Sequence, residues 1–394
     1  MRMPWQSGLV VLRLLALLAL SEFVRTGFFV AYLPLRSNAL NLGASAVGLI
    51  VGLHYLADGL AKGPSGVVTE RWGLGRMALA GAALGTLAVL LIPRAPALTL
   101  ALLLSLAWGL TLASLWPGVM TAVSHYAKPG KQSRALSWAS VVTAPAIGLG
   151  AVGVGWVMQR LPAVGYPILL GAEVAALLLA LSLVGLKLPR SGERVSVYRW
   201  GRVAGLIPAA FAQTLAPGLL VTIFYPFLHR LGLSVTDLLL PGALALAVGL
   251  GALPLAGRLA DRVHPRASLL PGLLLLAATF YTIALPGVTG RLYLVTALGG
   301  VAYACFIAGW NGLVARTLPR EHRAAAWGTI MAVEALGYAV GPVLGGLAWD
   351  RFGTPGPFWL GAMVFIVTLG YYLFPWRRAV RRVRQVAGSQ ATGD

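Results

Sequence analysis

Seven ionisable residues stand deep inside otherwise apolar stretches of this sequence: Glu22, Arg25, His54, Asp58, Lys62, Glu173 and Glu334. A charge surrounded by hydrocarbon is costly, and such residues are kept for pairing, proton transfer or contact with a transported solute. Glu22 and Arg25 are three apart and share one helix face. His54, Asp58 and Lys62 are each four apart, which predicts a stack along one face of a second helix. An acid that alternates between pairing with Arg25 and carrying a proton would couple proton movement to a conformational change. Glu22 or Asp58 would be the carrier, and His54, which titrates near neutral pH, would assist. The plainer reading is two internally neutralised clusters that hold helices together. Glu173 and Glu334 read as lone acids at helix contacts. No nucleophile–base pairing and no metal-ligand spacing is present, so neither catalysis nor a cofactor is expected. Cys305, the one cysteine, lies in an apolar run, which excludes a disulfide framework.

The surroundings of these residues set the class. Of 394 residues, 58% are hydrophobic and 11% are charged, where an ordinary soluble domain has about 25% charged. Apolar runs of about 20 residues cross a bilayer as helices. They predict an all-α polytopic membrane protein with twelve spans, at 9–33, 44–68, 77–93, 97–123, 133–158, 164–186, 204–228, 237–260, 267–286, 290–315, 324–349 and 356–375. The runs are continuous and do not alternate, which excludes a β-barrel. A net charge of +20 would point to nucleic acid in a soluble protein. Here, with the N-terminus placed in the cytoplasm, 22 of the 31 Lys and Arg residues fall on the cytoplasmic side and 6 on the outer side. That asymmetry predicts a bacterial inner-membrane protein with both termini cytoplasmic. The polar stretch 188–203 reads as a cytoplasmic linker between two six-helix bundles, 1–187 and 204–376. Residues 377–394 read as a basic tail against the anionic inner leaflet. The chain is expected to act as a monomer with no nucleic-acid partner.

The two halves repeat. Gly66-x-x-x-Glu70-Arg71 recurs as Gly257-x-x-x-Asp261-Arg262, 191 residues on, and Arg134-Ala-Leu-Ser-Trp138 recurs as Arg323-Ala-Ala-Ala-Trp327, 189 on. Paired six-helix halves around a central site form a transporter architecture. The full motif Gly66-x-x-x-Glu70-Arg71-x-Gly73-x-x-Arg76 resembles the cytoplasmic loop signature of the major facilitator superfamily. In the second copy His264 replaces the glycine and Ala267 the last basic residue. The acid and the arginines of Gly66, Glu70, Arg71, Gly73, Arg76, Asp261 and Arg262 are suited to latching the halves by helix-end and carbonyl contacts. Gly337-x-x-x-Gly341-Pro342-x-x-Gly345-Gly346 predicts close helix packing.

The polar groups are unevenly shared. The first half carries all the intramembrane charges except Glu334, while the second offers mainly Phe224, Tyr225, Tyr281, Tyr303, Phe306 and Trp310. A lipid with a polar head would use both kinds of wall. Trp116 and Trp138 read either as interfacial anchors or as faces on which a sugar ring stacks. Ser-Glu22-Phe23-Val-Arg25, Tyr32-Leu-Pro34, His54-Tyr-Leu-Ala-Asp58, Leu-Trp116, Trp138, Trp310-Asn311 and Trp327-Gly328 together resemble the proton-coupled glycolipid flippases of lipoteichoic-acid anchor synthesis. The resemblance implies that Glu22, Arg25 and Asp58 couple protons and touch the head group, and that Trp116 and Trp138 line its pocket. Trp310 and Asn311 are expected to join them. It implies antiport of a diglucosyl-diacylglycerol from the inner to the outer leaflet. Lys62 and Glu334 depart from that family's pattern, the latter standing where a neutral amide is usual. A proton-coupled exporter of hydrophobic drugs is the alternative.

Overall fold

A computed structural model describes residues 4–126, 142–187, 204–317 and 323–374. The linker 188–203, Trp138 and the basic tail lie outside the described residues. Every regular element described is helical: α1 (Pro4–Thr26), α2 (Ala44–Trp72), α3 (Leu74–Leu91), α4 (Leu98–Leu112), α5 (Leu115–Tyr126), α6 (Val154–Arg160), α7 (Gly165–Leu181), α8 (Ile207–Val221), α9 (Phe224–Arg230), α10 (Leu239–Arg262), α11 (Pro265–Ala284), α12 (Leu292–Thr317), α13 (Arg323–Phe352) and α14 (Gly356–Leu373). Among the described residues, ten helical stretches are long and apolar enough to cross a membrane. Two further expected spans correspond to the shorter apolar α7 and to α1, which carries Arg13, Glu22 and Arg25.

Large apolar side chains such as Leu60, Leu178, Leu240, Leu246 and Val367 are exposed. On a soluble protein so much exposed apolar surface would drive aggregation. On a membrane protein it is the face that lipid covers, with the backbone bonds satisfied inside each helix.

The chain forms two compact units. One comprises Met1–Val197, Gln213–Leu238 and Met331–Pro357; the other comprises Tyr198–Ala212, Leu239–Ile330 and Phe358–Asp394. In the first unit small residues bring backbones together. A Cβ on Gly52 would lie 2.5 Å from the Ala339 carbonyl oxygen, and one on Gly59 2.5 Å from the Ala335 Cβ. A Cβ on Gly341 would lie 2.7 Å from the Gly218 Cα, and one on Gly346 would strike the Ala44 carbonyl. The glycine-proline element of α13 therefore works as close packing, against α2 on one side and α8 on the other. Asp350 closes this contact by accepting the Ser45 backbone N–H at 2.9 Å, which satisfies one of the unpaired donors at the start of α2.

Two π-helical turns, Gly27–Tyr32 after α1 and Leu149–Gly153 before α6, face each other. A Cβ on Gly150 would run into Thr26 Oγ1 and the Phe23 carbonyl, and Thr26 Oγ1 donates to the Ile147 carbonyl at 3.2 Å. Such turns insert one residue into an α-helix and recur at functional sites. Within the first turn Phe28 stacks on Tyr32 at 5.4 Å, and Tyr32 lies 5.2 Å from Tyr166. In the second unit Gly272 and Gly309 of α11 and α12 meet the partner backbone, and Ser268 Oγ donates to the Cys305 carbonyl at 2.8 Å.

Candidate functional site

The charges of α1 and α2 meet. Arg25 Nη2 lies 2.5 Å from Glu22 Oε2 along α1. Its Nη1 lies 3.7 Å from Asp58 Oδ2 on α2, and Lys62 Nζ lies 3.0 Å from the same oxygen. The carboxylates are almost fully shielded, at 6% and 7% side-chain exposure, while Lys62 keeps 33%. The Arg25 guanidinium sits 5.2 Å over the Tyr55 ring, which stacks on Tyr338 of α13 at 5.8 Å. A cation over an aromatic face is stabilised by the ring quadrupole, so Arg25 is fixed from three directions.

This layer forms one wall of a cavity of about 300 Å³ within the first unit. Leu18, Leu112, Leu115, Ile147, Met331 and Ala335 supply its apolar surface, and Trp116 and Glu334 complete it. Gln213 Nε2 of α8 donates to Glu334 Oε1 at 2.5 Å. Three carboxylates and two cations thus face one space beside an indole. Such an arrangement can bind a hydroxylated group by charge-assisted hydrogen bonds and can exchange protons without catalysing a covalent step.

The remaining expected site residues lie as follows. His54 is fully buried and does not line the cavity. Its Nδ1 is 3.3 Å from the Ser105 carbonyl oxygen, and its ring lies 4.6 Å from Phe29 and 4.9 Å from Trp108. Four residues turn a helix by more than one full revolution, so the expected stack drifts by about 40° per step. By Asp58 the face has rotated from α4 toward α1. Trp310 is buried within the second unit, and Asn311 beside it is exposed. Glu173 is buried, with its carboxyl and the Trp108 indole nitrogen both over Gly85.

Of the loop motif, Gly66, Glu70, Arg71 and Arg76 are exposed, and Gly73 takes φ +93°. A Cβ at Gly73 would lie 3.0 Å from the Leu186 carbonyl oxygen, so the glycine is required twice over. In the second copy Asp261 and Arg262 are exposed. His264 there has φ −170° and caps α11 by accepting the Arg266 N–H at 3.1 Å. The substitution of histidine for glycine therefore reflects a different turn. Partial desolvation, then the Arg316 and Arg266 guanidinium groups, hold the His264 imidazole below its ordinary pKa.

Sequence reasoning missed Tyr55, Tyr338 and Gln213. Tyr55 carried a signal, since 55, 58 and 62 follow the i, i+3, i+7 spacing of one helix face. Gln213 carried another, as an amide inside an apolar helix. Its pairing with Glu334, 121 residues away, had none.

A family model described as Major Facilitator Superfamily matches residues 14–251 and 205–392. The proton-coupled antiporter flippase LtaA of Staphylococcus haemolyticus is 19% identical over 376 residues, covering 91% of this chain and 92% of that protein. The quinolone resistance protein NorA of Staphylococcus aureus is 29% identical over 164 residues, covering 40% of this chain and 42% of that protein. A bacterial homolog of the human lysosomal transporter Spinster, in an inward-facing and occupied conformation, aligns with a TM-score of 0.71 at 16% identity, covering 95% of this chain and 97% of that one. A mutant of the nucleoside transporter NupG aligns at 0.71 and 12% identity, covering 92% and 98%. These two likenesses concern the fold.

Proposed function

The chain belongs to the major facilitator superfamily, a family of membrane transporters and not of enzymes, and from that premise we propose that it is a proton-coupled flippase. In this reading it moves a glycolipid such as a diglucosyl-diacylglycerol from the inner to the outer leaflet of a bacterial plasma membrane by alternating access. The observation that carries the reading is the Glu22–Arg25–Asp58 layer, placed beside Trp116 in a cavity whose other surfaces are mostly aliphatic. Carboxylates and an indole suit a sugar head, and the aliphatic surfaces suit the chain that follows it. Similarity along 91% of the chain to a proton-coupled antiporter flippase supports proton-coupled flipping.

Arg25 holds two carboxylates at once. A proton arriving on Glu22 or Asp58 removes one of its partners and frees it to bind the head group; loss of that proton restores the pair. His54 supports the coupling from behind Asp58. The bundles 1–187 and 204–376 rock about the linker, both termini lie in the cytoplasm, and the Gly66–Arg76 and Asp261–Arg262 motifs, at the ends of α2 and α10, latch one end state. The protein works as a monomer, with protons and membrane lipid as its other partners.

The test is flipping of a labelled diglucosyl-diacylglycerol in proteoliposomes. The expected result is flipping that depends on a proton gradient and is lost in Asp58→Asn and Glu22→Gln. Normal gradient-driven rates in both variants would overturn the coupling assignment. Efflux of hydrophobic drugs is the second reading, favoured by the similarity to NorA. It predicts quinolone resistance in cells that express the protein and no glycolipid flipping.

A further inference from the structure

We propose that Glu334 is a second protonation site of this cavity, competing with Asp58 for the ammonium group of Lys62. The cations are already assigned: Arg25 spans Glu22 and Asp58, and Lys62 lies 3.0 Å from Asp58. Glu334 lines the same cavity but takes its hydrogen bond from the neutral amide of Gln213. Among the described residues the cavity thus carries one more carboxylate than cations.

The partner chemistry makes Glu334 different from the other two acids. For Glu22 or Asp58 to accept a proton, a charge pair must be given up, and breaking one partner of a buried pair is strongly destabilising. An amide N–H donates equally well to a carboxylate oxygen and to the carbonyl oxygen of the neutral acid. A proton can therefore load and leave at Glu334 Oε2 while Gln213 keeps hold of Oε1, so the contact between α8 and α13 survives both states. Only O–H bond formation to the carboxylate is involved, with the proton drawn from water.

Among the described residues the charged and titratable groups around Glu334 are Lys62, Asp58 and Tyr55 on α2, Glu22 and Arg25 on α1, and Tyr338 on its own helix; α8 presents Gln213. Lys62 lines the same cavity as Glu334 while its ammonium group sits 3.0 Å from Asp58. Protonation of one acid leaves the ammonium group to the other, so the two sites are coupled through a single side chain with 33% exposure.

This inference rests on the reading of the cavity as proton-coupled, and not on the identity of the lipid. The test uses the full chain in liposomes without substrate, followed by infrared difference spectroscopy as pH falls from about 8 to about 5. The readout is the carbonyl stretch of protonated carboxylic acid. The expected result is that Glu334→Gln, which keeps the size and can still accept the hydrogen bond from Gln213, loses one acid equivalent of that band. Glu334→Asp keeps the band. In Asp58→Asn the band persists and moves to more acidic pH, because Lys62 then serves Glu334 alone. A band unchanged in Glu334→Gln, or one abolished by Asp58→Asn, would overturn the proposal. Glycolipid transport does not enter the readout, so failure of the flippase reading and failure of this one are separate results.

Discussion

Gly52 offers a sign test of the close contact between α2 and α13 in the first unit. Changing it to alanine would set a methyl group 2.5 Å from the Ala339 carbonyl oxygen and 2.6 Å from Val343 Cγ2. Unstrained contacts lie at about 3.5 Å or more, so α2 and α13 must part by about 1 Å at this level. Val343 can turn its side chain away, but the Ala339 carbonyl is held in its helix. Overpacking of this kind costs about 1–3 kcal/mol. Against it stands a gain of up to about 1 kcal/mol for replacing glycine with alanine in a helix. The net is a destabilisation of up to about 2 kcal/mol.

Gly171 in α7 is the internal reference, because a Cβ there meets nothing within 4 Å. Gly171→Ala keeps only the favourable part, about 0.5–1 kcal/mol. Thermal unfolding of the two purified variants, followed by tryptophan fluorescence, should move in opposite directions from the parent protein. At about 1–2 °C per kcal/mol in a chain of this length the separation is a few degrees. If Gly52→Ala melts as high as Gly171→Ala, the close approach of α2 to α13 is wrong, and the packing role given to the glycines of α13 fails with it.

Two further outcomes can be checked on the same preparations. Asp350→Ala removes the side-chain acceptor from the start of α2 and should cost about 1 kcal/mol, whereas Asp350→Asn should recover most of it; equal melting of all three proteins would exclude the cap. His264 caps α11 through its unprotonated Nδ1, and its folded pKa lies below the ordinary histidine value. The stability it adds is therefore present above that ordinary value and is lost as pH falls through the depressed one. Acidification should lower the melting temperature of the parent more than that of His264→Asn, and parallel pH profiles would refute the cap.

Local spacing made one part of the site legible and left the rest dark. The Glu22–Arg25 and Asp58–Lys62 pairs follow from three- and four-residue offsets on a helix, and both form. The bridge from Arg25 to Asp58 crosses two helices and depends on how those helices are rotated, which no offset within either one encodes. The same ignorance of rotation explains His54, which packs against Phe29 of the π-helical turn and Trp108 of α4. Apolar run length exposed the helical spans well, including the α10 stretch with few buried residues. In α1 the apolar run was long enough to stand out despite Arg13, Glu22 and Arg25, but it gave no sign of the π-helical turn that follows. Gln213 and Glu334 stand on distant helices, and only the folded chain brings them together.

The extra residue in the turn at Gly27–Tyr32 sets the phase between two ends of the first membrane helix. Shortening that segment by one amino acid would leave a rod that still reaches across the bilayer. Every side chain on one side of the cut would then be swung by about 100° relative to those on the other. Either the ring of Tyr32 would lose its neighbour Tyr166, or Glu22 and Arg25 would turn away from the second helix. Length and hydrophobicity would be nearly untouched by such a deletion, yet the aromatic tier and the ionic tier would no longer be in step.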